Sequence, residues 1–183
     1  MNMRFIVPLT FLLVSCASAP PDNAAVEIVV RKYIAAYQEQ RWDDLVSLMH
    51  PEAIASHRSA ILADLPKRDA DVTPAQRPEV NSLLEMYGVS TIQEARSLPA
   101  EELVLRMLKR SGESTTMRTM KEVQTTVTDV SIRDTAHGII ADVSMISRLG
   151  DMERGGITEF LLERVKGRYL VVSMSKTQIT PGP

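Results

Sequence analysis

One cysteine in 183 residues leaves the chain without an internal disulfide, a Cys-x-x-Cys redox pair or a zinc site built on cysteine. Aromatic residues are only 4%, and 21 basic residues against 23 acidic ones give a net charge of -2. With few rings to stack on bases and no excess of positive charge, dedicated nucleic-acid binding is not expected. Glycine-rich phosphate loops are missing as well. Gly150, Gly155 and Gly156 lack the Lys-Ser/Thr pair and the strand-to-helix setting of a P-loop or a dinucleotide fingerprint. No Gly-x-Ser-x-Gly nucleophile motif occurs. The three histidines, His50, His57 and His137, do not form a ligand set, because Pro51 separates the first two and the third falls in a turn. No metal or cofactor is therefore expected. Hydrophobic residues make up 44%, an ordinary globular share. The length fits one domain with a short appendage.

The appendage is amino-terminal. Arg4 precedes a ten-residue apolar stretch at 5–14, followed by small residues, the order of an export signal. As a helix at ~1.5 Å per residue the stretch covers about 15 Å, half of a ~30 Å hydrocarbon core, so it is no permanent span. Two cleavage points compete, one after Ala17-Ser18-Ala19 and one directly before Cys16. Leu13, Ser15 and Cys16 stand at the spacing of a lipobox, and with the basic start and the Ser/Ala/Pro-rich segment after Cys16 this region resembles the leader of bacterial lipoproteins. The resemblance implies removal of 1–15 and a diacylglycerol on the Cys16 sulfur. It also implies an acylated amino group and, with Ala17 rather than Asp after the cysteine, an outer-membrane address on the periplasmic side. Two or more acyl chains anchor stably where one is marginal. A tether at 16–23 would reach at most about 25 Å from Cys16 and hold the domain close to the bilayer.

From Asn23 the apolar residues Val26, Val29, Val30, Tyr33, Ile34 and Tyr37 recur at helical spacing, with Asp22 or Asn23 as cap and Glu27–Arg31 as a solvent-side pair. A short helix is predicted from Trp42 to Met49, and a third after Pro51 through Ile54, Ile61 and Leu65. The segment 67–79 reads as an exposed loop. Helical spacing returns at Val80, Leu83, Leu84 and Tyr87, stops at Gly88, resumes behind the Thr91–Glu94 capping box, and continues after Pro99 to Ser111-Gly112. Past Met120 the period changes to two. Strands are predicted at 123–133, 138–149, 155–165 and 168–177, joined by short turns that require antiparallel neighbours. In the second strand apolar residues point both ways, so one face can rest on helices while the other can serve a homodimer.

The expected fold is α+β, with N-terminal helices packed on a curved four-stranded antiparallel C-terminal meander. This element order, the Trp42-Asp43-Asp44-Leu45 helix, the corner at Leu48-Met49-His50-Pro51-Glu52-Ala53 and the final hairpin at 162–169 resemble the nuclear transport factor 2-like superfamily. That superfamily includes ketosteroid isomerase-like and polyketide cyclase-like proteins. The resemblance covers 24–178, leaves 179–183 as a tail, and implies a cone-like sheet whose open end can hold a small apolar molecule.

The resemblance also points to a pocket drawn from Tyr33, Tyr37, Trp42, His50 and Asp142. A proton-transfer enzyme on such a fold needs a carboxylate base with a Tyr and a protonated acid on one oxygen. Asp129, Asp142 and Glu159 are carboxylate candidates within strands, where such groups are usually solvated or ion-paired, and His50 with Asp43 or Asp44 is another base. No complete catalytic set is visible. Arg106, Lys109, Arg110, Arg118 and Lys121 cluster around one loop, either touching anionic headgroups or forming a solvated face. The leading expectation is a noncatalytic, membrane-anchored envelope lipoprotein that binds a small apolar ligand or another envelope protein. The alternatives are an isomerase, dehydratase or cyclase, and a structural adaptor that dimerises through its sheet.

Overall fold

Asp22 caps the first helix, its Oδ1 accepting from the Ala25 N–H at 3.1 Å. A computed structural model describes residues 21–114, 117, 121–175 and 178–180 of the chain. The expected leader at 1–15, Cys16, residues 17–20 and residues 181–183 lie outside them. Helix α1 (Asn23–Gln38) buries Val26, Val30, Tyr33 and Ala36 along one stripe. On its wet side Glu27 and Arg31 pair at 2.8 Å. Helix α2 (Trp42–Ser47) is short and leads into the corner before α3 (Pro51–Asp64). The corner also lies along the sheet. The His50 N–H donates to the Val171 carbonyl at 2.8 Å and the Val171 N–H to the Leu48 carbonyl at 2.9 Å, so an edge strand is covered rather than left open.

The segment 67–79 holds a short 3-10 turn at Asp69–Asp71, and helix α4 (Arg77–Met86) starts two residues before the end of the predicted loop. Pro78 is tolerated there because the first turn of a helix has no use for its missing N–H. Gly88, at φ 67°, ends the run where a side chain would be strained and would meet the Arg106 carbonyl at 3.2 Å. Helix α5 (Ile92–Ser97) is capped by Thr91, whose Oγ1 accepts from the Glu94 N–H at 3.0 Å. The reciprocal bond comes one residue early: the Glu94 carboxylate accepts from the Ser90 N–H at 2.8 Å. Helix α6 (Ala100–Gly112) follows.

Strands β1 (Gln124–Thr135), β2 (Gly138–Leu149), β3 (Met152–Val165) and β4 (Arg168–Met174) form an antiparallel meander in sequence order, as the change of period predicts. Each connection is a two-residue turn. At Lys166-Gly167 both φ angles are positive, 51° and 84°, as a type I′ turn requires. The predicted fourth strand stops at Met174, and a short β5 (Gln178–Thr180) pairs with Gly155–Ile157 of β3. The sheet thus runs two residues into the stretch expected as a tail. Bulges at Val127/Asp129 and Leu161/Leu162 bend the sheet.

Two cores result. The larger lies between α1, α2 and the inner sheet face and centres on Phe160, Leu162, Val143, Val26 and Val30. Each such fully buried side chain contributes about 1.5–3 kcal/mol. The smaller is helical, with Ile61, Leu84, Tyr87, Ile92 and Leu103 at its centre. Helix α6 joins them, since Leu103 belongs to one and Val104 to the other.

Candidate functional site: a cavity between the first helix and the sheet

A cavity of about 410 Å³ lies between the C-terminal half of α1 and the inner face of the sheet, within the ~300–1,000 Å³ range of small-molecule sites. Helical spacing puts Tyr33, Ile34 and Tyr37 on the α1 side. Strand alternation supplies the other wall. Thr125, Ser147 and Arg154 stand opposite one another on β1, β2 and β3, and Val127, Met145 and Gly156 form the next row inward. Val130, Val143 and Thr158 follow, and then Ile132, Ala141, Phe160 and Met174. Gly156 faces the cavity with no side chain, which leaves room beside Met145.

Ile34, Met117, Val123, Met145, Phe160 and Met174 make the lining largely apolar. No Asp, Glu or His lines it among the described residues. Tyr33 stands edge-on to Phe160, with ring centroids 5.9 Å apart and planes at 78°. Burial, assisted by the neighbouring Tyr37, pushes the Tyr33 hydroxyl up to about 12, so it stays protonated as a donor. Tyr37 is also edge-on, to Trp42 at 5.9 Å. Polar residues gather where the cavity meets water. Thr125 and Ser147 share a hydrogen bond of 2.9 Å, and the Gln40 amide donates to the Met117 carbonyl at 3.0 Å. Arg154 and Lys121 are exposed there.

Of the five residues singled out for a pocket, Tyr33 and Tyr37 line this one. Trp42 sits behind it as a packing anchor, buried against Tyr37 and Gly112. His50 is buried at the α2–α3 corner, where its Nδ1 accepts from the Glu52 N–H at 3.2 Å and its Nε2 is 3.5 Å from Glu163. That is the work of a helix cap. Asp142 projects from the opposite face of the sheet and is bound by Arg133 at 2.9 Å, which also reaches Glu159 at 3.1 Å. The proton-transfer candidates Asp142, Glu159 and His50 therefore do not meet the tyrosines. The basic cluster separates too. Arg106 is taken by Glu94 and Glu102, Lys109 by Asp43, and Arg110 by Glu85 and Glu113. Arg118 lies outside the described residues, and only Lys121 faces the cavity.

Among the described residues no group of three or more His, Cys, Asp or Glu could hold a metal ion. No helix among them is long and apolar enough to cross a membrane. Comparison with protein-family models, curated proteins and solved structures finds no match. Sequence reasoning missed Met145, Phe160, Met174 and Arg154 as lining residues. Alternation in the predicted strands carried the signal for Met145 and Phe160, whereas choosing which face turns inward needed the packing of α1.

Proposed function

We propose that this chain is a noncatalytic lipoprotein of the bacterial envelope, anchored through Cys16, whose domain holds one small apolar molecule in the cavity beneath α1. The cavity carries the reading: its volume suits one small ligand, its walls are largely apolar, and Asp142, Glu159 and His50 are engaged elsewhere. A nuclear transport factor 2-like relationship is compatible with the order of helices and meander. As partners the reading takes the bilayer, through the acyl chains, and a second copy of the chain at the outer sheet face. There Ile140, Ile146, Ile157 and Leu161 lie on the side opposite the helices.

The test uses the single tryptophan, whose ring touches a cavity-lining tyrosine. The full chain, carried in zwitterionic nanodiscs, is titrated with a brominated decanol, and Trp42 fluorescence is followed against Gly156→Leu, which fills the cavity. Saturable quenching in the wild-type chain that is lost in the variant is expected. Quenching that never saturates, or that is equal in the two proteins, overturns the reading.

A further inference from the structure

We infer that the natural occupant of the cavity is an anionic amphiphile, a single hydrocarbon chain ending in one anionic head such as a carboxylate. This rests on the cavity being a binding site, as proposed above, and adds the chemistry of the ligand. The strand register sets up a polarity gradient. The Thr125–Ser147–Arg154 row lies at the end of the sheet where β2 turns into β3, and the rows behind it, toward Phe160, are apolar but for the buried Thr158. An occupant that matches both ends has a polar head at the Arg154 row and its chain directed toward Phe160.

Charge decides the sign of the head. Neither Arg154 nor Lys121 has a carboxylate partner among the described residues, and no acid lines the cavity there. The nearest acid in sequence to Arg154, Glu153, points to the other face of the strand and is bound by Arg148 at 2.6 Å. Elsewhere acidic partners hold most arginines, as with Arg31, Arg41, Arg106, Arg110 and Arg133. Two cations left at the mouth of an apolar cavity, in a chain of net charge -2, are complementary to an anion whose remainder is greasy. At about 410 Å³ the cavity lies near the small end of the ~300–1,000 Å³ range of small-molecule sites, which suits a single chain.

The cavity lies toward the end of α1 opposite the tether. The tether enters at Asp22, while the cavity lies beside Tyr37. Fifteen helical residues separate the two points, roughly 22 Å along α1.

The experiment measures displacement of the brominated decanol from the full chain in zwitterionic nanodiscs by decanoate, decanol and decyltrimethylammonium, at a pH where the carboxylate is ionised. Decanoate is expected to compete at least about tenfold more tightly than the other two. Arg154→Gln with Lys121→Gln should remove about tenfold of that affinity and with it the preference for decanoate over decanol. Both positions are exposed, so the fold should survive, as an unchanged circular dichroism spectrum would verify. Equal competition by decanol, or a decanoate affinity untouched by the double variant, overturns the inference while leaving an apolar site intact. A double variant that loses binding to phosphatidylglycerol vesicles but keeps its decanoate affinity assigns the cations to a membrane surface, and overturns it as well. Loss of saturable quenching with every probe instead removes the binding site itself.

Discussion

Leu103 and Val104 are neighbours on α6, both almost fully buried, yet they enter different cores: Leu103 packs with Tyr87 and Ile92, Val104 with Trp42 and the sheet-facing helices. Helix α6 therefore ties the helical lobe to the half that carries the cavity, as does α3, whose Ile54 and Ile61 divide between the cores in the same way. Leu103→Ala should cost about 2–5 kcal/mol, the range for a leucine cavity in a tight core. If α6 transmits that loss, the denaturation midpoint followed by Trp42 fluorescence shifts together with the midpoint from circular dichroism. An unmoved Trp42 transition, with only part of the helical signal lost early, would show that the two cores unfold separately.

Gly112 closes α6 against the indole of Trp42. A Cβ at this position would lie 2.9 Å from Nε1 and 3.0 Å from Cζ2. Glycine inside a helix normally costs about 1 kcal/mol relative to alanine, so propensity alone predicts that Gly112→Ala stabilises. Overpacking costs about 1–3 kcal/mol when the obstacle is a rigid ring held in place, and here it should win. The expected result is a net loss on the order of 1 kcal/mol by chemical denaturation. In the Trp42→Ala background the same change should become neutral or favourable. A stabilised single variant would mean that the ring yields.

The fold was readable because each element announces itself locally. Asp22, Pro51, Thr91 and Pro99 mark helix starts and Gly88 a stop, while the strands alternate with turns at Ala136-His137, Gly150-Asp151 and Lys166-Gly167. The end of the sheet was harder. Nothing in a continuous Val171–Ser175 run signals that pairing moves from β4 to β5, because that depends on which part of β3 is free. The site was half readable for a similar reason. Tyr33 and Tyr37 share a helix face by spacing alone, but whether Asp142 or Met145 turns toward them follows from which sheet face α1 covers. His50 drew notice as a titratable group, yet a residue just before Pro51 is also where a helix cap belongs, and that local role is the one it has.

His50 supplies the cap of α3 through Nδ1, at 3.2 Å from the Glu52 N–H. His50→Ala should lower stability by about 1 kcal/mol, the usual cost of losing a side-chain cap, with some further loss because the residue is buried. His50→Asn, which offers an oxygen at similar reach, should recover most of the capping part. Binding of an apolar probe in the cavity should be equal in all three proteins, because His50 does not line it. A variant that folds normally but loses the probe would give this imidazole a part in the site.

Tyr33 and Tyr87 lie in different cores, and both have hydroxyls pushed up to about 12. For Tyr87 burial is the largest cause, followed by its 2.5 Å hydrogen bond to the Asp64 carboxylate, which repels a phenolate. In the unfolded chain a tyrosine loses its proton near 10. Between 10 and 12 the unfolded state therefore releases protons that the folded state retains. The stabilisation from keeping each phenol neutral is complete below about 10 and is lost as the pH rises through about 12. An ultraviolet titration of phenolate absorbance should show Tyr33 and Tyr87 ionising late, together with unfolding. Tyr33→Phe and Tyr87→Phe should each remove one late group and flatten the alkaline fall in stability, since phenylalanine has no proton to lose. A late group that neither Tyr33→Phe nor Tyr87→Phe removes, or ionisation of either ring near 10 in a chain that is still folded, would contradict the burial assigned to both rings.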